Sequence, residues 1–192
     1  MSREAAREAA PEAAPDTRPP AGAAGAEAER RALRRTLSCY ATGVCVVTTR
    51  APDGEKVGLT VNSFASVSLD PPLVLWSLAR TSPRLALFRG AAHFAVNVLS
   101  AAQVELCHRF SRPGADRFAG LDLDLGAGGA PLLPDCLATF ECARHETVDA
   151  GDHLILIGRV LAHRRAAAGS ALVFCDGALR GWSGLGEVSA NA

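Results

Sequence analysis

The chain has 192 residues, 48% of them hydrophobic, and its 20 Lys and Arg residues balance 20 Asp and Glu residues. This length predicts one globular domain with tails, and the balanced charge gives no electrostatic reason to expect nucleic acid or an anionic membrane as a partner. No run of 18 apolar residues occurs, so no membrane-spanning helix is expected. The N-terminus lacks the apolar core of a signal peptide, which favours a cytoplasmic location.

The N-terminal segment, residues 1–27, is rich in Ala, Pro and Glu and has no large apolar residue after Met1. Such a segment buries too little surface to offset the entropy lost on ordering, so a disordered tail is predicted. We expect the folded domain to occupy residues 28–182, followed by a flexible tail at 183–192.

A helix is predicted to begin near Ala28, because Leu33, Leu37 and Tyr40 recur at helical spacing and share a face, and to end at Gly43. Short helices are also predicted from Ser82, as N-cap with Pro83 in the first turn, and over 101–110. Apolar runs predict strands at 44–49, 56–62, 63–69, 73–78, 93–99, 137–148, 153–163 and 171–175.

About seven strands with three short helices indicate a mainly β protein, an antiparallel barrel rather than a sheet of βαβ units. Both faces of the strand that begins at His153 are apolar. One face would line the barrel interior, and a dimer partner would explain the cover on the other. The Gly- and Pro-rich residues 111–135 are predicted to form a long loop, a kind of segment that often carries function.

The six cysteines form no C-x-x-C pair and have no zinc-site spacing with histidine. We expect reduced, mostly buried cysteines that behave as small hydrophobic residues, and no metal site. The alternative is a redox or metal role. The cysteines are Cys39, Cys45, Cys107, Cys136, Cys142 and Cys175.

Three segments carry candidate binding residues, although the glycine-rich nucleotide signatures are missing. The stretch 58–68 contains Asn62, Ser63 and Ser66, whose polar groups suit a phosphate or the polar edge of a flavin ring. The segment 79–84 gathers two arginines and two hydroxyls at a predicted helix start, which is typical of an anion site. In the third, Gly151-Asp152-His153, the imidazole could touch a ligand at the barrel rim.

Each segment also has a purely structural interpretation. The first would be a strand with Ser and Thr on its outer face, and the second a capped helix with solvated arginines. In the third, the histidine would only cap a turn.

The order and spacing of several motifs resemble the short-chain flavin reductase family, the reductase components of two-component flavin-dependent monooxygenases. The resemblance runs from about Leu33 to about Gly177. The motifs are Ala41-Thr42-Gly43-Val44, Val46-Val47-Thr48-Thr49, Thr60-Val61-Asn62-Ser63-Phe64, Ser66-Val67-Ser68-Leu69-Asp70-Pro71-Pro72-Leu73, Phe94-Ala95-Val96-Asn97-Val98-Leu99, Arg117-Phe118-Ala119-Gly120 and Gly151-Asp152-His153.

This resemblance implies an FMN-binding split β-barrel, usually a homodimer, that binds FMN or FAD and NADH or NADPH. It implies that Asn62, Ser63 and Ser66 lie along the flavin, and that His153 meets the nicotinamide. The residues expected at the ribityl phosphate region are Ser77, Arg80, Ser82 and Arg84. The chain departs from the family pattern at its last predicted strand. The family often has an aromatic and a basic residue before a glycine there, whereas this chain has Phe174-Cys175-Asp176-Gly177.

The expected activity is that of an NAD(P)H:flavin oxidoreductase, in which hydride passes between two cofactors and no protein nucleophile or metal is needed. The reduced flavin would then pass to a partner monooxygenase or halogenase. The alternatives are a non-catalytic flavin-binding module, an oxidase that retains its flavin, and a structural domain without cofactor.

Overall fold

A computed structural model describes residues 22–114 and 116–182, so residues 1–21 of the predicted N-terminal tail 1–27 and the predicted tail 183–192 lie outside the described residues. The helices within these ranges are α1 Ala23–Ser38, α2 Leu85–Gly90 and α3 Val104–Ser111. The strands are β1 Thr42–Gly43, β2 Cys45–Arg50, β3 Lys56–Val61, β4 Ala65–Leu69, β5 Pro72–Ala79, β6 His93–Val98, β7 Asp124–Leu125, β8 Pro131–Leu132, β9 Ala138–Ala150, β10 His153–Arg165, β11 Leu172–Cys175 and β12 Ala178–Gly181. None of the described helices has the length and apolar character needed to cross a membrane.

The main sheet has seven antiparallel strands in the order β3-β2-β6-β9-β10-β5-β4. A flat sheet of this size would hold its edge strands about 29 Å apart, because neighbouring strands are spaced by about 4.8 Å. The two edge strands follow each other in the chain, and the segment from Val61 to Ala65 spans at most about 14 Å. The sheet is therefore curled into a barrel that stays open between β3 and β4.

Side chains of β5 and β10 alternate between the barrel core and the outer face. In β5, Trp76 and Leu78 are buried while Ser77 between them is half-buried, and in β10 Leu154 is buried while Ile155 is half-buried. Trp76 packs edge-on against Phe88 of α2, which closes one end of the core. The prediction of a mainly β antiparallel fold is confirmed, and β10 is apolar on both faces.

A second core lies outside the barrel, where α3 and the sheet β1-β11-β12 cover strands β2 and β3. Val46, Phe110 and Leu172 are almost fully buried there. Because Gly58 of β3 has no side chain, the rings of Phe110 and Phe118 can pack directly on the strand. This second layer fixes the position of α3 beside the barrel opening.

The first helix differs from its prediction at both ends. It begins at Ala23, inside the segment predicted to be a disordered tail, and it ends at Ser38 rather than at Gly43. Its last turn closes when the Tyr40 amide donates to the carbonyl of Leu37, and Gly43 pairs with β11 instead. Leu33, Leu37 and Tyr40 are 56%, 62% and 78% exposed, so they form no buried face in the described chain.

Two further predictions needed correction. Ser82 does not cap a helix, because α2 starts at Leu85, and the Ser82 hydroxyl instead accepts a hydrogen bond from the Arg84 amide at 3.3 Å. The predicted loop 111–135 contains the small hairpin of β7 and β8, and β12 was not predicted at all. Short strands of two to four residues give too little periodicity to be recognised.

Gly158 of β10 provides a test of how tightly the barrel is packed. A Cβ at this position would overlap the Phe94 ring and lie 2.9 Å from the Cβ of Cys142. We expect Gly158→Ala to lower the free energy of unfolding in urea by about 1–3 kcal/mol, because a closed core cannot accept the added volume. Gly90→Ala is the control, since no atom lies within 4 Å of a Cβ there. Equal stability of the two variants would contradict this account of the packing.

Candidate functional site

The barrel opening contains the connection Asn62–Phe64, and two cavities meet at Asn62. One cavity, of about 650 Å³, lies between β3, α3 and the β11-β12 hairpin. The other, of about 920 Å³, lies between α1, β1 and residues 62–65, and we call it the α1 cavity. Both volumes are in the range of small-molecule sites, about 300–1,000 Å³. The structure therefore places the stretch selected from the sequence at the concave part of the surface.

Ser63 attaches the connection at the opening to the adjacent strand β5. Its hydroxyl accepts a hydrogen bond from the Ser77 amide at 2.9 Å and donates one to the Ser77 carbonyl at 3.1 Å. β4 begins at Ala65, opposite Leu75, so Ser77 has no β4 residue opposite it. The Ser63 hydroxyl takes the place of that missing backbone partner. Two of the sequence-predicted residues are thus brought together, but the Ser63 hydroxyl is used to hold the fold.

Three other polar groups at the opening have no hydrogen-bond partner among the described residues. Asn62 and Ser66 are exposed, so their side chains can contact a ligand. The hydroxyl of Thr42, which lines the α1 cavity, is buried and unpartnered. Buried polar groups normally have a partner, so this hydroxyl fits a site that takes a polar ligand. Thr42 is not among the candidate residues predicted from the sequence, although it belongs to the motif Ala41-Thr42-Gly43-Val44.

Arg80 lies at the end of β5 and is held by the turn between β9 and β10. Its Nε donates to the Gly151 carbonyl at 2.9 Å and its Nη2 to the Asp149 carboxylate at 2.6 Å. Arg89 of α2 donates to the same carboxylate oxygen at 3.0 Å. Asp149 thus compensates the charge of both arginines, and Arg80 fixes the turn that precedes His153.

His153 is the first residue of β10 and lies opposite Ala79, beside Arg80. Its Nδ1 is 2.7 Å from the Asp152 carboxylate. The pKa of the fully exposed Asp152 carboxyl is lowered, mainly by the hydrogen bond from His153 and secondly by the charge of His153. Asp152 is therefore ionised at neutral pH and orients the imidazole with Nδ1 as donor, which leaves Nε2 free for a ligand.

Arg84 is not brought to the opening. Its guanidinium contacts the Glu55 carboxylate at 3.4 Å, at the start of β3. Asn62 follows the other end of β3, about 20 Å away at 3.3 Å per residue. Ser82 lies in the turn after β5, two residues before Arg84. Of the eight predicted residues, Ser63 and Ser77 are thus in contact and Arg80 lies beside His153, whereas Arg84 is directed toward the start of β3.

Burial disfavours ionisation of four of the six cysteine thiols. Burial raises the pKa of Cys45 and Cys142 to about 12 and that of Cys136 to about 11. Cys39 is exposed, and all six thiols are free. No group of three or more potential metal ligands occurs in the described residues. The prediction of buried, small hydrophobic cysteines is confirmed for Cys45, Cys107 and Cys142.

A barrel split beside two cavities of this size is the arrangement of a protein that binds a small molecule at the split. Residues 37–183 match the model of the flavin reductase like domain, and the chain belongs to this family. The resemblance drawn from the sequence motifs and the split-barrel fold are thereby confirmed.

Three similar proteins illustrate the relationship. The chain is 51% identical over 150 residues to the FMN reductase (NADH) SmoA of Agrobacterium fabrum, covering 77% of this chain and 83% of that protein. It is 48% identical over 130 residues to the reductase component of the flavin-dependent trigonelline monooxygenase of Acinetobacter baylyi, covering 68% of this chain but 42% of that longer protein. The NADH:FAD oxidoreductase SgcE6 of Streptomyces globisporus, solved with NAD and FAD fragments, has 38% identity and a TM-score of 0.75, covering 80% of this chain and 92% of that one.

The bonds of Ser63 can be tested against a matched serine. Ser63→Ala leaves the Ser77 amide without its partner, so we expect a loss of about 1–3 kcal/mol in the free energy of unfolding. Ser66→Ala removes an exposed hydroxyl without a described partner and should change stability by less than about 0.5 kcal/mol. If urea unfolding gave the two variants the same stability, Ser63 would not hold the opening together.

Proposed function

We propose that this protein is an NADH-dependent flavin reductase that reduces FMN or FAD and releases the reduced flavin to a partner enzyme. The observation that carries the proposal is the pair of cavities at the barrel split, lined by the Asn62–Ala65 segment, in a chain of the flavin reductase family. SmoA and SgcE6 are named as NADH-dependent reductases of FMN and of FAD. Both flavins are therefore candidate substrates.

The residues present fit a flavin at the split. The exposed Asn62 amide and Ser66 hydroxyl can bond the polar edge of the ring, and the unpartnered Thr42 hydroxyl can receive a further bond. When bound, the flavin supplies the hydride acceptor for the reduced nicotinamide. The protein's own part is to hold the two rings in reacting orientation and to exclude water between them.

His153 is proposed to orient the nicotinamide. Asp152 keeps the Nδ1 proton directed at its carboxylate, so Nε2 of the neutral ring is an acceptor. The carboxamide of a nicotinamide offers an N–H donor that suits this acceptor. In this role His153 transfers no proton, because hydride transfer itself requires none.

We also propose a homodimer in the cytoplasm, with a flavin-dependent monooxygenase or halogenase as acceptor of the reduced flavin. The outer face of the sheet carries a row of side chains in register, namely Val148, Ile155 and Ser77, with Ile157 and Leu75 in the next row. Val148 is 39% exposed. A second copy of the chain would cover the apolar side chains of these rows, which also contain Ser77 and Glu146, and the cytoplasm would keep the free thiols reduced.

The activity is tested by following anaerobic NADH oxidation with FMN, FAD and riboflavin as acceptors, compared by kcat/KM. Rapid, stoichiometric reduction of free flavin is the expected result. A preparation that stays yellow after gel filtration and does not reduce added flavin would favour the alternative, a binding module or oxidase with retained flavin.

Exchange of flavin during turnover sets a limit on affinity. With association near ~10⁷ M⁻¹s⁻¹, a Kd of ~1 μM gives release at about 10 s⁻¹, close to a typical kcat. We therefore expect micromolar Kd values in fluorescence titrations of oxidised and reduced flavin. Nanomolar affinity for both redox states would limit release to about 0.01 s⁻¹ and would contradict a diffusing product.

His153→Ala is expected to impair the use of NADH more than the binding of flavin. Loss of one orienting hydrogen bond costs about 0.5–1.5 kcal/mol, or up to about 3 if charge-assisted, which lowers kcat/KM for NADH by a few-fold to a hundredfold. His163→Ala is the control, because His163 is an exposed histidine ten residues further along the same strand. Normal NADH kinetics with abolished flavin binding would instead make His153 a flavin ligand.

A further inference from the structure

The α1 cavity has a positive rim that the flavin-binding residues do not explain. Arg34 and Arg35 of α1 line it on one side, and Asn62, Ser63 and Ala65 line the other. Both arginines therefore line the same cavity as the proposed flavin segment, and no acidic residue is among its described lining residues.

Several other arginines of the described chain, though not all, are compensated by protein carboxylates. Arg30 and Arg31, also on α1, lie 4.0 and 3.9 Å from the Glu27 carboxylate. Arg80 is bonded to Asp149, and Arg84 to Glu55. The residues that the sequence suggested for a phosphate are thus engaged within the protein, whereas Arg34 and Arg35 have no ion pair within the described residues.

The position of α1 beside the cavity is fixed by the backbone. The Asp176 amide donates to the Ser38 carbonyl at 2.7 Å, and Thr42, four residues further on, pairs with Phe174 of β11. Arg34 also contributes, after the larger influence of His153, to the lowered pKa of the Asp152 carboxyl. The helix is thus held beside the α1 cavity, with Arg34 near enough to the Asp152 carboxyl to influence its pKa.

We propose that Arg34 and Arg35 form a phosphate-binding rim for the nucleotide that reacts in the α1 cavity. This inference rests on the proposed flavin reductase activity and adds two binding residues to it. Arginine suits the role because its planar donors can bind two phosphate oxygens together. The phosphate belongs either to the flavin or to NADH, and the experiment distinguishes these sources.

The test compares Arg34→Gln, Arg35→Gln and the double variant with wild type, and uses Arg30→Gln as the control on the same helix. FMN and riboflavin are titrated separately, because riboflavin has the same ring without a phosphate, and KM is measured for NADH. If the arginines bind the flavin phosphate, we expect the affinity of the double variant for FMN to fall about fivefold to twentyfold, with unchanged affinity for riboflavin. If they bind the NADH phosphate, we expect the KM for NADH to rise by the same factor. The affected constant should also lose most of its dependence on salt.

Unchanged FMN affinity and unchanged KM for NADH in the double variant would overturn the proposal. An equal loss for FMN and riboflavin would also overturn it, since the arginines would then only support the packing of α1. If the double variant does not fold, the single variants are compared instead. Arg34→Lys and Arg35→Lys keep the positive charge and should retain salt-dependent binding, whereas Arg34→Gln and Arg35→Gln should lose it. A wild-type protein without flavin-dependent NADH oxidation would refute the proposed function itself, which separates the two failures.

Discussion

The connection between β3 and β4 is the constraint on which the rest of the structure depends. It has only the residues Asn62–Phe64, so the seven-stranded sheet cannot lie flat and its two edges must approach each other. The same residues stand in the resulting opening, where Ser63 bonds Ser77 of the adjacent strand β5. One short segment therefore sets the closure of the barrel and supplies the surface that faces a ligand.

Several charged side chains near the proposed site form ion pairs within the protein that hold loops in place. Asp149 holds Arg80 and Arg89 together, and Glu55 holds Arg84 at the β2-β3 hairpin. Exposed pairs of this kind add little to stability, but they determine where a turn or helix start lies. The arginines without an ion pair at the α1 cavity, Arg34 and Arg35, belong to a helix outside the barrel sheet. The positive charge of the site and the closure of the sheet therefore come from different parts of the chain.

The sequence predicted the sheet well because its strands are long, apolar and separated by clear turns, as with β9 and β10 around Gly151. It also selected the segment at the opening, since Asn and Ser in an otherwise apolar run are a local signal. It could not predict that the Ser63 hydroxyl bonds a residue 14 positions away, or that Arg84 turns toward Glu55. Nor could it predict the role of Thr42, because an unpartnered buried hydroxyl is a property of packing and leaves no mark in the local sequence.

The departure from the family pattern at Phe174-Cys175-Asp176-Gly177 has a structural reason. Asp176 and Gly177 have φ values of +49° and +73°, so they form a tight hairpin turn between β11 and β12 in which Asp followed by Gly is favoured. The turn places Phe174 and Gly177 against both cavities, while the Asp176 amide anchors α1 through Ser38. At this position the chain has a turn that holds α1 instead of a basic residue. The arginines that line the α1 cavity, Arg34 and Arg35, belong to that helix.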